Sequence, residues 1–126
     1  MKRSWFGLAL LLALLAGALL VTWTMDRIHE PIARELELAG TCALAGQWHR
    51  AQTLAEDAEA RWEKWAHFRG CFADHTPMEE IDGGFAQVKA YSQAGEPADF
   101  AAACAQTARR VEAMGQAHGL NWWNVL

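Results

Sequence analysis

The hydrophobic and polar positions divide the chain into two parts with different patterns. Residues 4–25 carry no charged side chain and are dominated by leucine and alanine. From residue 26 onwards, apolar residues recur at intervals of three and four, with charged residues between them. The first pattern predicts a helix that is apolar on all sides, and the second predicts amphipathic helices that share a core. No part of 26–126 alternates with a period of two over a useful length, so we expect an all-α protein.

The uncharged segment has the length of a transmembrane helix. Trp5 and Trp23 stand near its ends, and a helix would separate them by about 27 Å, close to the roughly 30 Å hydrocarbon core of a bilayer. Lys2 and Arg3 precede the segment and no cationic excess follows it, so the positive-inside rule places the N-terminus in the cytoplasm. We therefore expect a single-pass cell-membrane protein with a cytoplasmic tip and anchor at 1–25 and an extracytoplasmic domain at 26–126.

Two features of the anchor leave alternatives open. The sequence at 16–18, Ala-Gly-Ala, also fits the cleavage site of a secretory signal peptide, but the apolar run continues beyond it to Trp23, which favours a retained anchor. Ala9, Ala13 and Gly17 repeat at intervals of four and form a stripe of small residues that would let another helix approach closely. These three residues are candidates for contact with a membrane protein or with a second copy of the chain, although a plain anchor in which the spacing arises by chance is the favoured interpretation.

The spacing of apolar residues after the anchor predicts a small antiparallel bundle of about four helices. The expected helices span about 31–45, 47–74, 77–95 and 97 to between 115 and 119, with a tail at 120–126; the first could also continue the anchor. The expected inward residues are Ile32, Leu36, Ala39 and Ala43; Trp48, Ala51, Ala55, Ala58, Trp62, Trp65 and Phe72; Met78, Ile81, Phe85, Val88 and Tyr91; and Phe100, Cys104, Thr107, Val111 and Met114.

Two local signals concern the third helix. The sequence Thr76-Pro77-Met78-Glu79 has the form of a capping box, with Thr76 as the N-cap and proline at the first helical position. Gly83 and Gly84 would together cost this helix about 2 kcal/mol relative to alanines. The pair could mark close packing between helices or a local break.

Charge and cysteine content narrow the possible partners and chemistry. Without Lys2 and Arg3, the chain has nine Lys and Arg residues against 15 Asp and Glu, so nucleic acid is an unsuitable partner. Cys42, Cys71 and Cys104 each fall at an apolar position of the helical pattern, which favours small buried side chains. One disulfide in an oxidising exterior is the alternative.

The sequence shows no catalytic motif. The two serines, Ser4 and Ser92, lie outside any nucleophile-elbow or glycine-rich context, so we expect no enzymatic activity, no catalytic residue and no cofactor. His67, Cys71 and His75 follow at steps of four, but ligands strung along one helix cannot close around one ion. We expect no metal site, although neighbours among these three could share a metal with a ligand from elsewhere.

Two further groups are candidates for interaction. Asp74 and His75 lie in the densest polar cluster, which we interpret as a structural corner between the second and third helices, with ligand or metal binding as the alternative. The sequence 120–126 is too apolar for an ordinary tail, and it contains Trp122 and Trp123. We expect one of these two indoles to be buried in the bundle and the other to form a contact surface.

Several short motifs together resemble a known bacterial family. They are Trp62-Glu63-Lys64, Phe72-Ala73-Asp74-His75, Met78-Glu79-x-Ile81-Asp82, Leu120-Asn121 and Asn124-Val125-Leu126, all behind an N-terminal anchor. In these motifs the chain is similar to the uncharacterised family catalogued as domain of unknown function 4363, and it departs from the pattern at Gly83-Gly84 and at Trp122-Trp123. The resemblance implies a small membrane-tethered protein of Gram-positive bacteria, often encoded beside other small membrane proteins, and it implies no activity.

These observations lead to one expected function and two alternatives. We expect a non-enzymatic, membrane-tethered accessory or interaction protein that docks on another membrane protein or self-associates through its anchor. The first alternative is an extracytoplasmic ligand- or metal-binding module that uses Asp74 and His75. A tetratricopeptide-like pair, suggested by the sequence at 44–51, ranks last because its motif occurs once and such repeats need neighbours.

Overall fold

A computed structural model describes residues 2–65 and 75–124, except for the side chains of Thr22, Met25, Asp26, His75 and residues 116–124. These ranges contain helices and short turns and no strand. The helices are α1 (Lys2–Leu44), α2 (Trp48–Lys64), α3 (His75–Ala94) and α4 (Pro97–Asn124). The predicted all-α class is therefore confirmed.

The longest helix, α1, joins the apolar N-terminal segment to the first helix of the bundle. It runs for 43 residues with Pro31 inside it. The separate first helix that we predicted at 31–45 is therefore wrong, and the alternative, a helix continuous with the N-terminal apolar segment, is observed. Proline removes one backbone hydrogen bond from a helix. Its neighbours Ile28, Ile32 and Ala33 are buried in the core, and their packing offsets this loss.

Two similar turns reverse the chain at one end of the bundle. Gly46 follows α1 with φ +83° and Gly95 follows α3 with φ +70°, a conformation that glycine adopts without steric cost. In each turn the next residue donates to the carbonyl five positions back: Gln47 N to Cys42 O at 2.9 Å, and Glu96 N to Tyr91 O at 3.2 Å. Both are Schellman motifs, which satisfy carbonyl groups that the helix end leaves unpaired.

The four helices alternate in direction and form an antiparallel bundle. The bundle part of α1 packs against α2 and α4, and α3 packs against α4. The backbones of α2 and α3 approach each other at few positions. Short turns between α1 and α2 and between α3 and α4 agree with this up-down order.

The core consists of the faces that the sequence pattern predicts. The inward residues predicted for α1, α3 and α4 are buried or, for Met78 and Tyr91, partly buried against the core. In α2, Ala51, Ala55, Ala58 and Trp62 are buried, and Trp48 and Trp65 pack partly buried against the same cluster. The predicted inward residue Phe72 lies outside the described residues.

Glycine lets helices approach closely at two places in the core. A Cβ atom at Gly84 would lie 2.5 Å from Oγ1 of Thr107, so α3 meets α4 at this point. A Cβ atom at Gly40 would lie 3.3 Å from the carbonyl oxygen of Ala101, where α1 meets α4. A Cβ atom at Gly83 would meet no atom within 4 Å, so Gly84 alone accounts for close packing in the glycine pair.

Three predicted helix ends are wrong. The second helix ends at Lys64 rather than near 74, because Trp65 leaves the helical region with φ −97° and ψ 5°. The third begins at His75, so Thr76 lies inside its first turn rather than at the N-cap. The fourth continues to Asn124 rather than ending before 120, since packing of Gly115 against His29 offsets its low helix propensity.

Candidate functional site

The apolar part of α1 is exposed along almost its whole length. Lys2–Val21 has a mean hydropathy of 2.3, none of it is buried, and within the described residues it is the one segment long and apolar enough to cross a membrane. The exposed large apolar side chains are Trp5, Phe6, Leu8, Leu10, Leu11, Leu12, Leu14, Leu15, Leu19, Leu20, Val21 and Trp23. Such a helix is compatible with a single-pass anchor or with a signal sequence.

The small-residue stripe lies on this exposed segment. Ala9, Ala13 and Gly17 are all exposed, and a Cβ atom built at Gly17 would meet no atom within 4 Å. The described parts of the bundle therefore leave this stripe uncovered. Its contact with another helix stays a prediction.

A tryptophan–arginine pair marks the end of the apolar segment. The Arg27 guanidinium carbon lies 3.9 Å from the centroid of the Trp23 ring, a distance at which a cation is attracted to the face of an indole. One turn before, the Thr24 hydroxyl donates to the carbonyl of Leu20 at 2.7 Å. Here α1 passes from residues suited to hydrocarbon to residues suited to water.

A polar and aromatic layer follows at the base of the bundle. His29, only 2% exposed, places its ring edge-on to Trp62 with the ring centroids 6.3 Å apart. Trp62 donates from Nε1 to Oδ1 of Asp82 at 2.7 Å, and its ring lies 6.3 Å from that of Phe85. The layer therefore connects α1, α2 and α3 through the side chain of Trp62.

Sequence reasoning missed the roles of His29 and Asp82 in this layer. His29 stands three residues before Ile32, so it continues the inward stripe of α1, and this spacing could have revealed it. Asp82 stands out in the sequence only as part of the Met78-Glu79-x-Ile81-Asp82 motif, yet it accepts a hydrogen bond from a buried indole on another helix. Because α2 and α3 share few backbone contacts, this bond is a principal link between them.

A shallow groove of about 210 Å³ lies between α2 and α3, farther from the apolar segment. Ala55 and Val88 contribute apolar side chains to it, and Gln52 spans it by donating from Nε2 to Oγ of Ser92 at 2.9 Å. Burial raises the pKa of the Glu59 carboxyl in the same groove, and nearby Glu63 adds to the effect. The groove is a place where the two helices diverge, and it brings no set of reactive groups together.

The described cysteines are small buried side chains. Cys42 and Cys104 are both free and buried, as the helical pattern predicts. Burial raises the pKa of the Cys104 thiol to about 12, so it stays protonated and unreactive at neutral pH. Cys71 lies outside the described residues.

The remaining predicted candidates lie wholly or partly outside the described residues. His67, Cys71 and Asp74 lie outside the described residues, as does the side chain of His75. Among the residues that the structure does describe, no group of three His, Cys, Asp or Glu side chains could hold a metal ion. The helical backbone reaches Trp122 and Trp123, but their side chains are also outside the description. Their proposed roles stay predictions.

The fold and the exposed segment define the class: a small helical bundle carried on an N-terminal apolar helix. The chain belongs to the family described as Domain of unknown function (DUF4363), whose sequence model matches residues 20–125. This match confirms the resemblance found in the motifs. A comparison with curated proteins and another with solved structures gave no match.

Proposed function

We propose that this protein is a non-enzymatic, membrane-tethered accessory protein that docks on another membrane protein. In this proposal the apolar part of α1 is a retained single-pass anchor, with residues 1–3 in the cytoplasm and 26–126 outside. The bundle is the extracytoplasmic part. The anchor stripe at Ala9, Ala13 and Gly17 is the leading contact for the partner.

The observation that carries the proposal is the sharing of one helix between anchor and bundle. α1 exposes nearly all of residues 2–21 and then buries Ile32 and Leu36 completely in the core. A soluble domain would leave the exposed apolar part in water at a cost of roughly 1.5–3 kcal/mol for each large side chain. A bilayer removes this cost, which supports a retained anchor.

The same helix supports retention over cleavage. Ala-Gly-Ala at 16–18 lies inside uninterrupted α1, and cleavage there would leave exposed Leu19, Leu20 and Trp23 at the start of the mature protein. The topology is tested by adding protease to intact protoplasts. We expect digestion of the bundle and a protected fragment of the anchor. A mature protein that begins near Leu19 and is found free in the medium would contradict the proposal.

The docking contact is tested by enlarging the small-residue stripe. The variant Ala9→Leu/Ala13→Leu/Gly17→Leu keeps the segment apolar but blocks close helix approach. The matched control is Leu11→Phe/Leu15→Phe, which enlarges the opposite face. Both are purified from native membranes after cross-linking, and the attached proteins are identified by mass spectrometry.

We expect the stripe variant to lose a membrane protein that wild type and the control both retain. If the stripe variant instead loses a cross-linked band at twice the mass of the chain, the partner at the stripe is a second copy of the chain. If the two variants keep the same attached proteins as wild type, the stripe is not a docking contact.

A further inference from the structure

Helix α4 continues past the point where α1 enters the bundle. Gly115 lies against His29, since a Cβ atom at Gly115 would be 3.4 Å from that of His29. The two helices are antiparallel, so each residue after Gly115 is level with a residue before His29. α4 continues for nine more residues to Asn124, or about 13 Å. Its last turn is therefore level with the region of Leu20, inside the apolar segment Lys2–Val21.

The burial pattern of α1 agrees with this register. Ala18 is partly buried, whereas the other described side chains between residues 2 and 21 are exposed. Ala18 stands eleven residues before His29, a spacing that places both on nearly the same face of a helix. On the face of α1 that meets α4 at His29, the side chain of Ala18 is thus less exposed than the described side chains around it.

The composition of the last two turns of α4 suits the surface of a bilayer. Residues 116–124 contain no Asp, Glu, Lys or Arg, and they include Trp122 and Trp123. Tryptophan is enriched at the interface between hydrocarbon and water, and a formal charge is costly only deeper, in the hydrocarbon itself. At the same level, α1 carries Trp23 beneath the guanidinium of Arg27.

We propose that residues 118–124 of α4 lie in the membrane interface beside α1, so that two helices rather than one join the bundle to the lipid. The occupant of this surface is the lipid of the membrane that holds the anchor. The inference rests on the proposed function for the retained anchor. It goes beyond that function because it assigns a second membrane contact to a helix that does not cross.

The test uses the full chain in phosphatidylcholine vesicles that contain lipids brominated on their acyl chains. Bromine quenches the fluorescence of indoles that it contacts. The background variant Trp5→Phe/Trp23→Phe removes the two indoles of the apolar segment. We expect brominated lipid still to lower its emission, and bromines near the headgroup end to quench more than bromines near the methyl end.

Two further variants locate the quenched indoles. Adding Trp122→Phe/Trp123→Phe should abolish the remaining quenching. The matched control adds Trp48→Phe instead, because Trp48 packs against Phe100 with centroids 5.0 Å apart at the other end of the bundle. This control should leave the quenched intensity unchanged. Far-UV circular dichroism checks that each variant keeps its helix content.

The outcomes separate this inference from the proposed function. If wild type is not quenched at all, the anchor itself is outside the bilayer and both proposals fail. If wild type is quenched but the Trp5→Phe/Trp23→Phe protein is not, the anchor stands and the interfacial position of α4 is wrong. Quenching that persists after Trp122→Phe/Trp123→Phe would come from another indole, such as Trp65, and would also overturn the inference.

Discussion

The two parts of α1 have the same backbone conformation but opposite surroundings. Residues 2–21 expose their side chains, apart from partly buried Ala18, whereas residues 28–44 bury a stripe in the core. Leu12 is 56% exposed and Leu36 is 0% exposed, although both are leucines in one helix. The difference teaches that neither residue type nor helix formation decides burial here. The spacing of polar residues decides it, because only the second part has a polar face that can remain in water.

The largest expected effect on stability is at Trp62, which connects three helices of the bundle. Trp62→Ala removes a side chain that is 2% exposed, together with its bond to Asp82. Replacing a buried tryptophan by alanine costs about 3–5 kcal/mol. We expect the bundle of this variant to be unfolded or nearly unfolded even without urea. Urea titration of the full chain in nanodiscs measures this. An unchanged midpoint would show that the bundle does not depend on this layer.

The comparison within α1 is tested directly by one pair of leucine variants. Leu36→Ala should lower the free energy of unfolding of the bundle by about 2–5 kcal/mol, because the cavity forms in a packed core. Leu12→Ala makes the same chemical change in the exposed part, and we expect the bundle to unfold as in wild type. Circular dichroism during the urea titration measures both. Equal effects would mean that the apolar segment packs against the bundle.

Gly83 and Gly84 allow a second comparison between an exposed and a packed position, with smaller expected effects on stability. Gly84→Ala places a methyl group 2.5 Å from Oγ1, 3.1 Å from Cγ2 and 3.3 Å from Cβ of Thr107, so rotation of the threonine cannot clear it. Overpacking of this kind costs about 1–3 kcal/mol. Gly83→Ala meets no atom within 4 Å and should stabilise α3 by up to about 1 kcal/mol. The free energies of unfolding of the two variants should therefore change in opposite directions.

The smallest expected effect concerns a charge in the packed part of α1. Burial raises the pKa of the Glu35 carboxyl, and the nearby charge of Asp57 raises this pKa further. Arg61 forms an ion pair with Glu35 at 3.1 Å, which acts in the opposite direction and lowers the pKa. A carboxyl whose pKa is higher in the folded state binds more protons there, so stability falls as pH rises from 4.5, its unfolded value, through the folded pKa.

Glu35→Gln removes this dependence on pH. The free energy of unfolding of the variant minus that of wild type should increase between pH 4 and pH 7, measured by urea titration at each pH. The control is Glu37→Gln, which removes the same charge from an exposed position of α1. A difference that decreases with pH would mean that the ion pair with Arg61 outweighs the burial.

The faces of the helices could be predicted from the sequence, but several of their ends could not. Spacing reports which side of a helix is buried, so the inward residues that the structure describes are predicted correctly in all four described helices. A helix end depends also on what the next residues pack against. Gly115 resembles a stop signal in the sequence, yet its contact with His29 lets α4 continue. Gly83 and Gly84 likewise look alike in the sequence. Only the packing of Thr107 against Gly84 distinguishes them.

The base of the bundle was harder to predict than its core. His29 lies in the polar stretch that follows the apolar segment, although its spacing places it on the inward stripe. The bond from Trp62 to Asp82 joins residues 20 positions apart on different helices, and no local pattern encodes such a pair. The candidates at His67, Cys71, Asp74 and the side chain of His75 lie outside the described residues, so their roles stay predictions.

The two Schellman turns limit the surface that the bundle presents at the end far from the apolar segment. At that end the described chain reverses through residues 45–47 and 95–96 only, and both turns are built on a glycine. Recognition through long, variable loops, as in antibodies, has no counterpart there. A protein that contacted the bundle would meet instead the broad sides of the helices, where side chains at intervals of three and four form a fixed array. Shortening or lengthening either turn should therefore leave these helix surfaces intact.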